Sequence, residues 1–389
     1  MTRTILAAVA VTPLVLSGID GRTARAVSPT PGTGATLQPA ASLQRGVCGG
    51  AQQNCRTVAT FDGTFHEAAL SIRWNAPTRR LAYGRQLKDG YYDIFTSNED
   101  GTDERPLTVD HPDLPNRHQG APFWHPGGKY IIFLAEKRKH KGASRDALPG
   151  YGGYSDIWVI TADGKRVWRL TDLPDDYSRG ALFPMFSPDG RQVLWTEREK
   201  APNFLSTLTT AGTHAFKIAN FVERPEPHFE AVRRIQPGTE GFYEASDLSG
   251  DGRTVLFTSN FETKNFWKNQ IYSYDLSTGT SKRLTVDGYN EHPGYTPDGR
   301  HIIYMSNHQV DRLKLWPGAD WWVMDADGGN KQRLGFMNKK GHPHSNGSPM
   351  WAGPVAWSPD GGWFYGDVQT TLLGQQGKIV KVGLRCECR

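Results

Sequence analysis

Six places in the chain put a titratable or metal-ligating group at the entry of an expected strand: His66–Glu67, His118–Gln119, Arg179, Tyr243–Glu244, Glu291–His292 and Asn346. Imidazole titrates near neutrality and can move a proton, while arginine offers a fixed planar fork to a carboxylate. A base beside a fixed positive charge is what β-elimination from a uronate needs. Taking a proton from the carbon next to a carboxylate creates an enolate-like dianion, which a cation or guanidinium must hold. In that scheme Arg179 stabilises charge, and His118, His66 or Tyr243 takes the proton. Gln119, Glu291 and Asn346 are left to bind substrate, and Glu67 and Glu244 to ligate a divalent cation. Carboxylate and imidazole donors together suit calcium, manganese or zinc. The competing expectation is that these groups satisfy one another and a column of buried water.

The elements that would carry them come from a repeat. "FSPDGRQVLWTE" at Phe186 recurs as "FWHPGGKYIIFLAE" at Phe123, "DLSGDGRTVLFTSN" at Asp247, "YTPDGRHIIYMSN" at Tyr295 and "AWSPDGGWFYGD" at Ala356. Ser-Pro-Asp-Gly is type I turn chemistry between β-rich runs, so each copy is a hairpin. A second hairpin follows each, as in "DIWVITADGKRVWRLT" at Asp156. Two hairpins make a four-stranded antiparallel sheet, and sheets apolar on both faces bury each other by radial stacking. The fold class is therefore all-β, a β-propeller of six or possibly seven blades closed by an N-terminal strand, "RTVAT" from Arg56, beside "GKIVKVGL" from Gly377. The SPDG turns and "D-[IV]-W…ADG…LT" hairpins resemble TolB-like propeller repeats over nearly all of residues 60 to 384.

Tight turns occupy one face of such a disc, and the long insertions 136–155, 221–243, 306–319 and 335–350 the other. Loops on a rigid scaffold tend to carry function, so the long-loop face is expected to hold the site. Of twelve histidines, only His125, His214 and His301 fall away from that side. "NEHPGYTPDGR" from Asn290 and "GHPHSNG" from Gly341 resemble the His-Pro-rich entries of the oligogalacturonate lyase family, secreted relatives of which are propellers acting on uronate glycans. The resemblance implies a central divalent metal held by His292, His342 and His344. It implies a secreted polysaccharide lyase, expected to be monomeric, whose partner is an acidic polysaccharide or oligosaccharide. Trp316, Trp321 and Trp322 would stack on sugar rings or serve as core. Two other classes stay open: a non-catalytic propeller binding a glycan or protein, and a glycoside hydrolase with Glu67 and Glu244 as its carboxylate pair.

Residues 1–26, with a basic start, a short apolar run and Ala24-Arg25-Ala26, read as a secretory signal peptide. Residues 27–46 read as a disordered leader of Ser, Pro, Thr, Gly and Ala, and 47–389 as one propeller domain. Removing Arg3, Arg22, Arg25 and Asp20 lowers the formal charge from +5 to +3, a balance that does not point to nucleic acid. The basic run at 137–141 reads as a solvated loop. No later stretch approaches membrane length. The four cysteines stand at Cys48, Cys55, Cys386 and Cys388. Neighbours one residue apart on a strand face opposite ways, so each C-terminal cysteine is expected to bond an N-terminal one, the pairing left open.

Overall fold

The computed structural model describes residues 44–49, 55–140, 147–148, 150–200, 212–310, 318–370 and 377–388. The proposed signal peptide, nearly all of the leader, and Trp316 lie outside the described residues. Six antiparallel blades of four strands, the sixth extended by the short strand Gln44–Arg45, set the blade number. Blade 1 runs Ala69–Asn75, Arg80–Gln86, Tyr92–Asn98 and Arg105–Pro106. The innermost strands of blades 2 to 6 are Gln119–Trp124, Gly180–Phe186, Tyr243–Leu248, Asn290–Tyr295 and Trp351–Trp357. Among the described residues no helix is long and apolar enough to cross a membrane.

The turn residues act locally. In the 187–190 turn the Gly190 N–H donates to Ser187 O at 2.8 Å, and Asp189 Oδ1 accepts from the Ser187 hydroxyl at 2.6 Å and from Arg191 N at 3.0 Å. Gly190 has φ +73°, and a Cβ there would sit 2.3 Å from Nε2 of His125 in the preceding blade. The turn thus needs glycine both for its backbone and for blade-to-blade contact.

Apolar side chains from neighbouring blades form the cores. Ile132 and Val159 of blade 2 meet Ala181, Val193 and Trp195 of blade 3 in one cluster, and Trp195 stacks on Phe229 with centroids 5.2 Å apart. Phe229 belongs to His228–Ile235, the fourth strand of blade 3. The stretch 221–243, expected as a long-loop insertion, therefore contains a blade strand, and His228 with it lies at the turn joining the third and fourth strands.

Blade 6 completes itself with the N-terminal strand Cys55–Glu67, paired along Gly377–Cys388 from Cys55↔Cys388 to Glu67↔Lys378. Disulfides join Cys48 to Cys386 and Cys55 to Cys388. His66 and Glu67 consequently end the outermost strand of blade 6 and do not enter the innermost strand of blade 1. The chain turns between those strands at Ala68, in the left-handed region at φ 53°, with no glycine or proline to mark the corner.

Every innermost strand carries a register irregularity: Leu70/Arg73, Gly120/Phe123, Leu182/Met185, Ala245/Asp247, Glu291/Gly294 and Ala352/Val355. At four of them a non-glycine residue has positive φ: Ser71, Ala121, Phe183 and His292. Bulges re-aim the side chains beside them, and one residue near each bulge reaches the axis: Arg73, Phe123, Phe183, Ser246, His292 and Pro354.

Candidate functional site: the axial cavity

Those six residues line a cavity of about 260 Å³ on the propeller axis. A second cavity of about 340 Å³ shares Arg73, Trp74, Phe123 and Asp247 with it and adds Pro77, Pro126 and Pro188 of the first-hairpin turns. The axial space therefore runs toward the turn face. Among the described residues, none from the four long stretches lines either cavity, which differs from the expected long-loop face.

The walls divide by blade. Phe123 and Phe183 of blades 2 and 3 make an apolar side, and Arg73, Glu244, Asp247 and His292 of blades 1, 4 and 5 a charged one. Nδ1 of His292 lies 2.9 Å from Oε1 of Glu244, and its Nε2 lies 3.7 Å from Oε2 of Glu291. Burial opposes charge on His292, but Glu244, Glu291 and Asp367 outweigh it and hold its pKa up at about 9. Glu291 accepts from Asn269 Nδ2 at 2.9 Å, and burial raises its pKa.

Asp247 accepts from Tyr295 N at 2.8 Å and Leu248 N at 2.9 Å. Asp367, on the second strand of blade 6, accepts from Ser71 N at 2.6 Å. These bonds join blade 4 to blade 5 and blade 6 to blade 1. Burial pushes both carboxyls up to about 6, against the pull of those N–H groups and Arg73.

The sequence-expected residues distribute differently. Glu244 and His292 come together in the axial cavity. His118 is buried beside it in sequence only: its Nδ1 accepts from Tyr92 N at 3.1 Å, and burial lowers its pKa to about 4. Gln119 donates to Arg117 O at 2.9 Å within its own loop. Arg179 donates to Glu197 at 2.7 Å. Tyr243 is buried against Phe261, gives its hydroxyl proton to Thr239 O, and has its pKa raised to about 12 by burial. His66 sits 2.8 Å from Glu104, which also accepts from Tyr83 and Arg85; Glu67 is exposed. Asn346 is exposed and caps Ser348 N at 2.9 Å. Trp321 and Trp322 are buried core. In the basic run, Lys137 pairs with Asp156 and Arg138 donates to Leu114 O at 2.8 Å, so both are tied into the fold.

The ligand set implied for a metal does not assemble. His342 and His344 lie together, ring centroids 4.4 Å apart, packed on Phe336 and Phe61, but His292 is engaged by Glu244 and Glu291 in the axial cavity and does not join them. Among the described residues the one His/Cys/Asp/Glu group compact enough for an ion consists of disulfide-bonded Cys55, Cys386 and Cys388. The residues present do not fit the implied centre.

Sequence reading missed Arg73, Phe123, Phe183, Asp247 and Asp367. Counting back two and four residues from the first residue of each blade's first turn gives twelve positions, of which nine line the cavity, Arg73, Phe123, Phe183, Asp247 and His292 among them, and three, Ser71, Ala121 and Met185, do not. That period-two offset was the available signal.

No protein-family model matches the chain. Dipeptidyl-peptidase 5 of Porphyromonas endodontalis is 26% identical over 260 residues, 57% of this chain and 34% of the peptidase. The Tol-Pal system protein TolB of Actinobacillus succinogenes is 29% identical over 115 residues, 30% of this chain and 21% of TolB. The chain thus matches about a third or less of these relatives' lengths. Among solved structures, TolB from Acinetobacter baumannii superimposes with a TM-score of 0.49 at 19% identity, over 69% of this chain and 54% of that one. The chain is a six-bladed β-propeller, similar to TolB.

Proposed function

We propose that the protein is a ligand-binding propeller and that the axial cavity is its site. The observation that carries this reading is the lining itself: one bulge-derived residue from each of six blades meets in one cavity, where Arg73, Glu244, Asp247 and His292 face an otherwise largely apolar wall. The strained backbone at Ser71, Ala121, Phe183 and His292 supports it, because strain persists where surrounding structure and function hold it. Polysaccharide β-elimination has less support. His118, Tyr243 and Arg179 each bond within their own surroundings, and Glu244 and Asp247 offset Arg73 and His292 in the charged wall, which leaves no positive excess to attract a polyuronate. Glu67 and Glu244 lie on the outermost and an innermost strand of different blades, so paired-carboxylate hydrolysis lacks its pair. The relatives' names divide between a peptidase and a Tol-Pal system protein. Recognition by the propeller is the part of either role that this chain could share. Two disulfides suit an oxidising, extracytoplasmic setting.

The test fills the cavity. Ser246→Trp places an indole into the axial space without touching the ion pairs. Small charged and apolar molecules that shift the melting temperature of the wild type should lose at least about tenfold in affinity in this variant, with its far-ultraviolet spectrum unchanged. Undiminished binding would move the site off the axis. In parallel, uronate polysaccharides should yield no ultraviolet-absorbing unsaturated product, and a rise in absorbance would restore the lyase reading.

A further inference from the structure

Resting on the axial-site reading, we propose that Arg73 is the anchor of that site and that the ligand is a small carboxylate carrying an apolar body. The carboxylates of the charged wall, Glu244 and Asp247, and those near it, Glu291 and Asp367, are engaged by the protein. Asp247 holds two backbone N–H groups, Asp367 holds Ser71 N, Glu291 holds Asn269, and Glu244 holds His292. Arg73 is the opposite case. Of the five N–H donors of a guanidinium, one on Nη1 reaches Ile72 O at 3.0 Å, and the others have no partner among the described residues. Asp247 and Asp367 act on it only through their field.

Arg73 is half-buried, so the open part of its fork is left to cavity water or to an oxyanion, and an oxyanion that displaces that water gains a charge-assisted pair. Bidentate carboxylate is the partner whose geometry matches. Arg73 also lies over the Phe123 ring, 5.6 Å from its centroid, and Phe183 faces the same space. An apolar group joined to the carboxylate would therefore cover the aromatic wall while its oxygens meet the fork. The volume of about 260 Å³ falls just below the ordinary range for drug-sized ligands, which favours a compact acid over a polymer. The committed carboxylates opposite then act against di- and polyanions, so a monoanion is selected.

The experiment uses the full chain and a matched probe series: phenylacetate, its neutral amide, phenethylamine, and inorganic phosphate. Trp74 and Trp357 line the cavity, so tryptophan fluorescence and calorimetry both report binding. Phenylacetate should bind at least about tenfold more tightly than the other three, the margin of a charge-assisted bidentate pair. Arg73→Gln should erase the margin, and Arg73→Lys should recover part of it. The wild-type series decides the matter even where Arg73→Gln does not fold. Preference for the amine, or equal binding of acid and amide, overturns the anchor. If such binding is still lost in Ser246→Trp, the axial site itself stands. Phosphate binding as tightly as phenylacetate overturns the apolar body. Absence of binding by phenylacetate at millimolar concentration overturns the proposal, while Ser246→Trp with any other ligand judges the site separately.

Discussion

At the residue scale, the cavity groups act through protonation as well as contact. Asp247 and Asp367 have folded pKa values of about 6 against an ordinary 3.8, so the stability they contribute is complete below about 3.8 and is lost as pH rises through about 6. His292, at about 9 against 6.5, keeps its contribution below about 6.5 and loses it as pH climbs through about 9. Both effects run the same way. The urea midpoint should be higher at about pH 5 than at about pH 9, and Asp247→Asn should flatten the acidic part of that slope. A midpoint that rises with pH over this window would contradict the assignment. Part of this site was legible. Glu244 and His292 were marked by residue type at strand entries, but Arg73 stands mid-strand and Asp367 on a second strand, where type alone says nothing. Entry residues such as His118 and Tyr243 proved to be inter-blade packing, because a strand's first residues face neighbouring blades as readily as the axis.

At the element scale, the repeat exposed the hairpins because each turn needs particular residues. Gly190 combines φ +73° with a Cβ position 2.3 Å from His125. Gly190→Ala should therefore cost roughly 1–3 kcal/mol in unfolding free energy, above the cost of a glycine replaced in open space. Gly250 is that control: nothing lies within 4 Å of its Cβ position, and Gly250→Ala should be nearly neutral. Equal effects in the two variants would show that blade contact at the turn is unimportant. The corner at Ala68 was not legible for the converse reason, since neither glycine nor proline marks it. The strand His228–Ile235 is bounded by Pro225, Pro227 and Pro237-Gly238, but exposed strand residues such as Glu230 and Arg233 lack the alternation that marks a half-buried strand, so those turn residues read as part of one long loop.

At the scale of the whole molecule, the cysteine positions revealed the closure, since bridging the chain ends is what turns an open row of blades into a ring. The two bonds are not independent. Whichever forms first closes a loop of 338 or 333 residues, a restriction of the unfolded chain of roughly 5–6 kcal/mol in the chain-entropy account. With that bond in place, the second closes only the short circuit through residues 48–55 and 386–388, of roughly 2–3 kcal/mol. Removing either bridge alone leaves the large loop closed by the other. The Cys48→Ser/Cys386→Ser and Cys55→Ser/Cys388→Ser variants should therefore each lose about 2–3 kcal/mol, whereas the four-serine chain should lose about 8. Urea unfolding of the four proteins measures the excess directly. Losses that merely add would mean that the backbone pairing of Cys55–Glu67 with Gly377–Cys388 already holds the ring ends together in the denatured chain, so that the bonds fasten a closure the strands make by themselves.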